Sequence, residues 1–324
     1  MGFIMPDKLY IVVPCYNEEA GLPETASRLK DKMLRLINDE LVDADSRIIF
    51  IDDGSSDGTW GIIEGLHTTD PMFSGLKLAA NKGHQNALLA GLMTVTELAD
   101  VTISMDADLQ DDIECLDEFL QQYYAGCDIV YGVRFDRGTD TVFKRWSAQF
   151  FYKMMKTFGV DFVYNHADYR LMSKRALKGL SSFREVNLFL RGLVPLIGFK
   201  TGVVEYTRGE RFAGETKYPL KRMLSFAWDG ISSFTVRPIR FITVLGFVVF
   251  FISVGLMIYS LIRNITGQTV PGWSTLMISI WLLGGLILLS LGIIGEYIGK
   301  MYSEIKARPK YIVETFLDSS ELNE

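Results

Sequence analysis

The chain has 324 residues, 48% of them hydrophobic, and its mean hydropathy of +0.18 is high for a soluble enzyme. Its formal net charge of -6 argues against a nucleic-acid-binding protein, which needs a basic face. Cys15, Cys115 and Cys127 have neither metal-type nor disulfide-type spacing, so we expect a reducing, cytoplasmic setting. Residues 1–8 lack the basic and apolar regions of a secretory signal.

Short β-favouring runs alternate with helix-favouring segments in the first part of the chain. The runs predict strands at 9–13, 47–52, 75–80, 101–105 and 127–132, with helices near 17–37, 57–68, 84–98 and 112–125. This rhythm predicts a mostly parallel sheet with helices on both faces. Ligands bind beyond the carboxyl ends of such strands, so the loops after the strands should carry the chemistry.

The middle of the chain is more mixed. A helix is expected near 141–158, and strands at 166–172 and 201–207. A polar, glycine-containing loop follows at 208–219. Residues 220–236 place basic side chains beside Met, Leu, Phe and Trp, which is typical of a helix in the membrane interface. An ordinary amphipathic core helix is the alternative.

Two uncharged runs follow, at 241–262 and 275–295, and each reaches the length of about 20 residues that crosses a bilayer. The linker at 263–274 contains turn residues, so the two runs predict a transmembrane hairpin; two buried soluble helices are the alternative. Basic residues flank the hairpin on its outer sides, whereas the linker offers only Arg263. The positive-inside rule therefore places the α/β domain and both termini in the cytoplasm.

These features predict four regions. They are a catalytic domain, an interfacial region, a hairpin and a cytoplasmic tail, over residues 1–216, 217–238, 239–298 and 299–324 respectively.

The loops after the first three predicted strands carry polar groups. The first strand runs into residues 14–19 without the G-x-G-x-x-G that a dinucleotide-binding oxidoreductase needs at this turn. The second ends in Asp52 and Asp53 before a glycine turn, which suits hydrogen bonds to a base or ribose, or equally a turn with a helix cap. The third leads to Lys82 and Gly83, which could meet a diphosphate at a helix start.

The fourth strand leads into an Asp-x-Asp motif. Alternate residues at a strand end point the same way, so Asp106, Asp108 and Gln110 are expected to present three oxygen ligands to one spot. Such hard ligands suit Mg²⁺ or Mn²⁺ bridging a diphosphate. A lone Asp-x-Asp also occurs by chance in solvated loops.

As an ordered set over residues 9–112, these motifs resemble those of the family-2 glycosyltransferases, which have the GT-A fold. The resemblance covers the chain to about residue 310. Within the family, the chain is similar to dolichyl-phosphate mannose synthases and, because of the hairpin, more closely to bactoprenol glucosyltransferases. It implies a Rossmann-like sheet and inverting transfer of a sugar to polyprenyl phosphate, with Mg²⁺ or Mn²⁺ as cofactor. The favoured donor is UDP-glucose and the favoured acceptor undecaprenyl phosphate, at the cytoplasmic face of the inner membrane.

Other functions stay open at this stage. They include mannosyl or aminopentosyl transfer to the same lipid, a processive polysaccharide synthase and an inactive membrane scaffold. A processive synthase carries a Q-x-x-R-W motif, but Val142 stands where this motif has Gln. Homo-oligomer formation is also open.

The resemblance also implies roles for the donor side of the site. Asp52 or Asp53 would hold the base and ribose together with the turn that contains Pro14, Tyr16 and Glu18. Asp106, Asp108 and Gln110 would hold the metal and the sugar diphosphate. Arg211 and Lys217 match a mobile loop that closes over the diphosphate, with Thr216 in place of the usual serine; contact with anionic lipid is their alternative.

On the acceptor side, Arg134 matches an arginine that faces the lipid phosphate. Lys144, Arg145 and Ser147 fall where the family has further phosphate contacts, in a register that stays open, and Arg145 is expected to be one of those contacts. Surface salt bridges are the alternative for both arginines. Asp168 matches a position near the acceptor and is either a base or the anchor of a neighbouring arginine. His84 and His166 are interpreted as helix-start and packing residues.

Overall fold

The computed structural model describes residues 6–134, 166–185, 190–207 and 272–318, and individual residues between 242 and 266. The chain divides into two compact units. Among the described residues, the first unit comprises the chain up to 207 together with 309–318, and the second lies between 242 and 308.

Eight strands form one sheet in the described part of the chain. They are β1 (Leu9–Cys15), β2 (Arg47–Asp52), β3 (Phe73–Leu78), β4 (Val101–Ser104), β5 (Ile129–Arg134), β6 (His166–Ser173), β7 (Thr201–Tyr206) and β8 (Val313–Leu317). Their order is β7-β5-β6-β4-β1-β2-β3-β8. β1 to β4 are parallel, as are β5 and β7, whereas β6 is antiparallel to β4 and β5, and β8 is antiparallel to β3. The sheet is therefore mixed, and the predicted strands are confirmed with small shifts at their ends.

Seven α-helices have both of their ends within the described residues. They are α1 (Leu22–Asn38), α2 (Thr59–Thr69), α3 (His84–Val95), α4 (Leu116–Tyr124), α5 (Lys174–Ser181), α6 (Leu190–Leu196) and α7 (Trp273–Lys306). The four helices predicted between the first strands are confirmed; the last begins with a 3-10 turn at Ile113–Cys115. The helix expected at 141–158 lies outside the described residues.

Both faces of the central strands are covered, because every residue of β1 is buried. On one face, α1 contributes Leu22, Leu29, Met33 and Leu36, whose spacing forms a single apolar stripe. On the other face, α3 packs closely at Gly91, where a Cβ atom would lie 2.6 Å from Ile51 Cδ1. This close packing sets the position of the α3 N-terminus at the carboxyl end of the sheet.

The C-terminal segment contributes β8, which the sequence interpretation did not anticipate. That interpretation assigned 299–324 to a tail, whereas α7 continues to Lys306 and β8 then pairs with the edge of β3. Lys77 Nζ lies 3.0 Å from Glu314 Oε1, and Ala79 N donates to Ile312 O at 3.0 Å. β8 is only five residues long, so its sequence pattern is a weak strand signal, and its partner strand β3 is more than 230 residues away in sequence.

Of the two predicted spans, the second lies inside α7. One described segment, Leu282–Lys306, is long and apolar enough to cross a membrane. An apolar stretch of this segment has a mean hydropathy of 1.8, and 6% of that stretch is buried. The low burial distinguishes it from the core helix of a soluble domain. The described residues of 241–262 are helical, whereas the rest of this predicted span and most of the 263–274 linker lie outside the described residues. The interfacial region at 217–238 lies outside the described residues.

Candidate active site

The loops after β1 and β2 lie side by side, as expected for neighbouring parallel strands. Pro14 pairs with Ile51 in the sheet register, and the chain then turns at Asn17, whose φ is 54°. Asn17 N donates to Ser55 Oγ at 3.0 Å, and Glu18 N donates to a threonine hydroxyl of the second loop at 2.9 Å. Tyr16 is 49% exposed at the mouth of these loops. The predicted turn from Pro14 to Glu18 is thus held beside the Asp52 loop.

Asp52 and Asp53 have different environments. Asp53 is buried, and its two oxygens accept hydrogen bonds from Lys82 N at 2.7 Å and Gly83 N at 2.8 Å. Burial raises the pKa of Asp53, while these two bonds oppose the shift. Asp52 is fully buried; its Oδ1 accepts from Ser55 N at 3.1 Å, and its Oδ2 has no hydrogen-bond partner among the described residues. Asp53 therefore holds the loop after β3, and Asp52 has the oxygen better suited to a ligand.

The loop after β3 contacts the loop after β2 at Gly54. The φ of Gly54 is +67°, and a Cβ atom there would lie 2.6 Å from Asn81 N, so a larger residue would separate the two loops. The side chain of Lys82 is exposed, while its backbone amide is held by Asp53. The Lys82 side chain therefore lies exposed at the edge of the site, and only its backbone amide takes part in the buried contact with Asp53.

The Asp-x-Asp motif lies in a turn beyond β4, which ends at Ser104. Leu109 has a φ of 57°, and Gln110 N donates to Asp108 Oδ1 at 3.2 Å. The expectation that strand alternation directs Asp106, Asp108 and Gln110 is therefore wrong, because the chain leaves the extended conformation before the motif is complete. The turn itself brings the motif to the carboxyl end of the sheet.

Negative charge is concentrated around Asp106. Burial raises the pKa of Asp106, and nearby Asp111, Asp168 and Asp108 act in the same direction while His84 opposes them, which together brings this pKa to about 6. In the described part of the chain, no three Asp, Glu, His or Cys side chains form a metal cluster by themselves. Two carboxylates and one amide would instead share a cation with oxygens of a bound diphosphate, and the crowded charge favours such a cation. The residues fit Mg²⁺ or Mn²⁺ in that arrangement.

Asp111 is a buried residue of the same turn that the sequence interpretation missed. The hydroxyl of Tyr206 donates to Asp111 Oδ1 at 2.5 Å, and Arg134 Nη2 lies 3.9 Å from the same oxygen. Arg134 Nε also donates to Tyr206 Oη at 3.1 Å. The pairing of β5 with β7 places Arg134 opposite Tyr206, which explains the contact. Arg134 therefore lies beside the Asp-x-Asp turn, with its side chain 28% exposed.

Asp168, near the start of β6, is contacted by two arginines and a histidine. Arg191 donates through Nε to Oδ1 at 3.2 Å and through Nη2 to Oδ2 at 3.0 Å. Arg170 Nη2 lies 3.6 Å from Oδ1, and His84 Nε2 lies 3.5 Å from Oδ2. Although burial opposes its ionisation, the contacts with His84 and the arginines hold the pKa of Asp168 well below its usual range. These contacts favour the interpretation of Asp168 as the anchor of a neighbouring arginine over its interpretation as a catalytic base.

His84 and Arg191 had no specific sequence signal. His84 opens α3, as its position indicated, but its Nε2 also lies 3.6 Å from Asp106 Oδ1. Burial opposes the charged form of His84, yet Asp168 and Asp106 together raise its pKa. Gln85 Oε1 accepts from Leu190 N at 3.1 Å, and this contact attaches α6 to α3 and brings Arg191 to Asp168.

Several predicted residues lie outside the described chain. They are Lys144, Arg145, Ser147, Arg211, Thr216 and Lys217, and the side chain of His166 is likewise not described.

The mixed α/β sheet, with an aspartate-rich turn after its fourth strand, defines a glycosyltransferase with a GT-A-like fold. The chain belongs to glycosyl transferase family 2, whose family model matches residues 10–181. A second model, the GtrB C-terminal hairpin, matches residues 237–301.

Known relatives cover nearly the whole chain. The uncharacterized glycosyltransferase YkoT of Bacillus subtilis is 54% identical over 97% of this chain and 94% of its own length. A prophage bactoprenol glucosyl transferase homolog of Escherichia coli is 39% identical over 95% of this chain and 98% of its own. The bactoprenol glucosyl transferase of Shigella phage SfII is 37% identical over 95% of this chain and 97% of its own length.

Among solved structures, glucosyl-3-phosphoglycerate synthase from Mycobacterium tuberculosis, in complex with Mn²⁺, uridine diphosphate and phosphoglyceric acid, is 16% identical. It aligns over 70% of this chain and 76% of its own with a TM-score of 0.44.

Proposed function

We propose that the protein transfers a sugar, with inversion, from a nucleotide sugar to a polyprenyl phosphate at the cytoplasmic face of the membrane. Glucose from UDP-glucose and undecaprenyl phosphate are the favoured pair, supported by relatives named bactoprenol glucosyl transferases. One observation carries the proposal. On one side of the acidic turn after β4 lies the buried Asp52 carboxylate, one of whose oxygens has no partner in the described part of the chain, and on the other side lie Arg134 and Arg191. Such a site suits a nucleotide sugar and an anionic acceptor.

The donor would bind over the β1, β2 and β3 loops. Asp52 Oδ2, buried and without a partner among the described residues, would accept a hydrogen bond from the base or ribose. Asp106, Asp108 and Gln110 would hold Mg²⁺ or Mn²⁺, which supplies positive charge to the leaving diphosphate when bound. Arg211 and Lys217 are proposed to close over the same diphosphate.

The acceptor needs positioning more than deprotonation. A phosphate monoester carries about -1.5 to -2 charge near pH 7, so its oxygen is already a competent nucleophile. Arg134 and Arg145 are proposed to orient that phosphate toward the anomeric carbon. The ion pairs of Asp168 are consistent with this mechanism, because a carboxylate held by cations is a weak base.

The apolar part of the chain would keep the site at the bilayer surface. The side chains of Leu282 and Leu288 in α7 are 70% and 71% exposed. Such exposure is unfavourable in water and suits lipid contact. Together with the hairpin match at 237–301, this supports two transmembrane helices with both termini in the cytoplasm.

The test is a product assay on detergent-purified protein with undecaprenyl phosphate and a panel of UDP-glucose, GDP-mannose and a UDP-aminopentose. We expect a glycolipid from UDP-glucose, dependent on a divalent cation. Product formed only from another donor would show that the protein transfers a sugar other than glucose. A polymeric product would indicate a processive synthase. No product and no nucleotide-sugar hydrolysis would support the inactive scaffold. Asp108→Asn is the matched inactive control.

A further inference from the structure

His84 lies between two carboxylates that belong to different parts of the sheet. Its Nε2 is 3.6 Å from Asp106 Oδ1, in the turn after β4, and 3.5 Å from Asp168 Oδ2, near the start of β6. The His84 side chain nevertheless stays 42% exposed, whereas that of Asp168 is 8% exposed. Of these two side chains, that of His84 is therefore the more accessible to a ligand.

The backbone around His84 is held by contacts that do not involve its side chain. Gly83, whose φ is +85°, donates its N–H to Asp53 Oδ2 at 2.8 Å. The Gly83 carbonyl accepts from Asn86 N and Ala87 N in the first turn of α3, at 3.0 and 3.1 Å. Because these contacts fix the start of α3, a smaller side chain at position 84 should leave the helix in place.

The sheet order gives the direction in which a bound nucleotide sugar would run. β2, β1, β4 and β6 are successive neighbours. Asp52 ends β2, the acidic turn follows β4, and Asp168 lies near the start of β6, which is antiparallel to β4 and so begins at the same edge. The diphosphate of a nucleotide sugar joins the nucleoside to the sugar. With the nucleoside at Asp52 and the diphosphate at the acidic turn, the sugar extends toward β6, where the His84 side chain lies.

An imidazole has the hydrogen-bonding groups that a sugar hydroxyl needs. Both ion-pair contacts of His84 are made by Nε2, and Nδ1 is a second hydrogen-bonding atom on the same ring. A hydroxyl can pair with either a donor or an acceptor nitrogen. Asp168, by contrast, already accepts bonds from Arg191 on both of its oxygens. His84 is therefore better suited than Asp168 to contact a neutral sugar.

We infer that His84 hydrogen-bonds to a hydroxyl of the transferred sugar and thereby contributes to the choice of nucleotide sugar. The inference rests on the proposed function and adds to its donor site a residue that contacts the sugar rather than the nucleotide. A site that pairs with a hydroxyl discriminates against sugars that lack it, because the polar group of the protein is then left unpaired.

The experiment compares the wild type with His84→Ala on the nucleotide sugar that the wild type uses, which is expected to be UDP-glucose, and on its monodeoxy analogues. His84→Ala should lower kcat/KM for the parent donor about 2- to 12-fold, the effect of losing one neutral hydrogen bond. Its Kd for UDP, which carries no sugar, should equal that of the wild type. One deoxy analogue should be poorer than the parent donor for the wild type by a similar factor, but equal to it for His84→Ala, because the variant has already lost that contact.

His84→Gln and His67→Ala complete the set of variants. Glutamine keeps a donor and an acceptor, so kcat/KM of His84→Gln should lie between those of the wild type and His84→Ala. His67→Ala is the matched control, since His67 is a half-buried histidine at the end of α2 whose Nδ1 contacts Phe73 O at 2.8 Å, at the amino end of β3. Its kinetics and UDP affinity should equal those of the wild type.

Three results would overturn the inference and leave the proposed function standing. They are wild-type kinetics in His84→Ala, a UDP affinity that falls as much as kcat/KM, and an equal loss on the parent donor and on every analogue, which a merely structural role would produce. If His84→Ala binds UDP but is too slow to measure, the same comparison with His84→Gln decides, because its penalty for the critical analogue should be smaller than that of the wild type. No lipid product from the wild type with any nucleotide sugar would overturn the proposed function itself, and the inference with it.

Discussion

Replacing Asp53 with asparagine should destabilise the protein, whereas the same change at Asp52 should not. Asp53 accepts hydrogen bonds from the backbone amides of both Lys82 and Gly83. An asparagine oxygen can accept one of these bonds, but its amide group would place a donor against the other N–H. At Asp52, asparagine can keep the bond from Ser55 N and removes a charge from an oxygen without a partner in the described structure.

The magnitudes follow from these contacts. A hydrogen bond to a charged group contributes about 1.5–3 kcal/mol, and part of its loss at Asp53 is offset because burial already disfavours the ionised carboxyl, as its raised pKa indicates. We expect Asp53→Asn to lower the free energy of unfolding by about 1–2 kcal/mol. This corresponds to a fall of about 2–8 °C in the unfolding midpoint. Asp52→Asn should instead weaken UDP binding about 10- to 150-fold.

Thermal unfolding and calorimetric UDP titration of both variants, in the same detergent, measure the two effects separately. The reasoning would be refuted if Asp52→Asn lowered the midpoint more than Asp53→Asn. Wild-type UDP affinity in Asp52→Asn would remove Asp52 from the nucleotide site.

Four further predictions concern other parts of the molecule. Asp108→Asn should stay folded but nearly inactive, since an amide is a poor ligand for a hard cation; full activity in this variant, or in wild type with excess EDTA, would contradict the metal role. Thr269→Cys should be labelled from outside the cell, while the native cysteines are buried; protection there, with labelling at the termini, would reverse the topology. Arg134→Ala should weaken the response to polyprenyl phosphate and Arg211→Ala the donor side, by about 10- to 150-fold each; equal loss of nucleotide binding would show that this division is wrong. Deleting 309–324 should lower the unfolding midpoint by removing β8, whereas Glu314→Gln, which breaks only a partly exposed ion pair, should cost about 0.2–1 kcal/mol; an unchanged midpoint in the deletion would show that β8 does not support the sheet.

The sequence by itself determined the strand–loop–helix succession, the family and the location of the acidic motif. Apolar runs and turn residues are local signals, so β1, β2 and α3 were predicted nearly at their observed bounds. Because carboxyl ends of parallel strands meet at one edge, it also followed that the Pro14 and Asp52 loops lie together. The apolar run at 275–295 likewise predicted the helix that contains it.

The tertiary structure alone decided which partner each polar side chain has. Asp52 and Asp53 are adjacent and chemically identical, yet only the approach of the loop after β3 assigns Asp53 to that loop and leaves Asp52 with an oxygen that has no hydrogen-bond partner among the described residues. The contacts of Tyr206 with Arg134 and of Arg191 with Asp168 depend on strand register and helix docking, which link residues far apart in sequence. β8 shows the same limit, because a five-residue strand is specified by the open edge that it pairs with rather than by its own pattern.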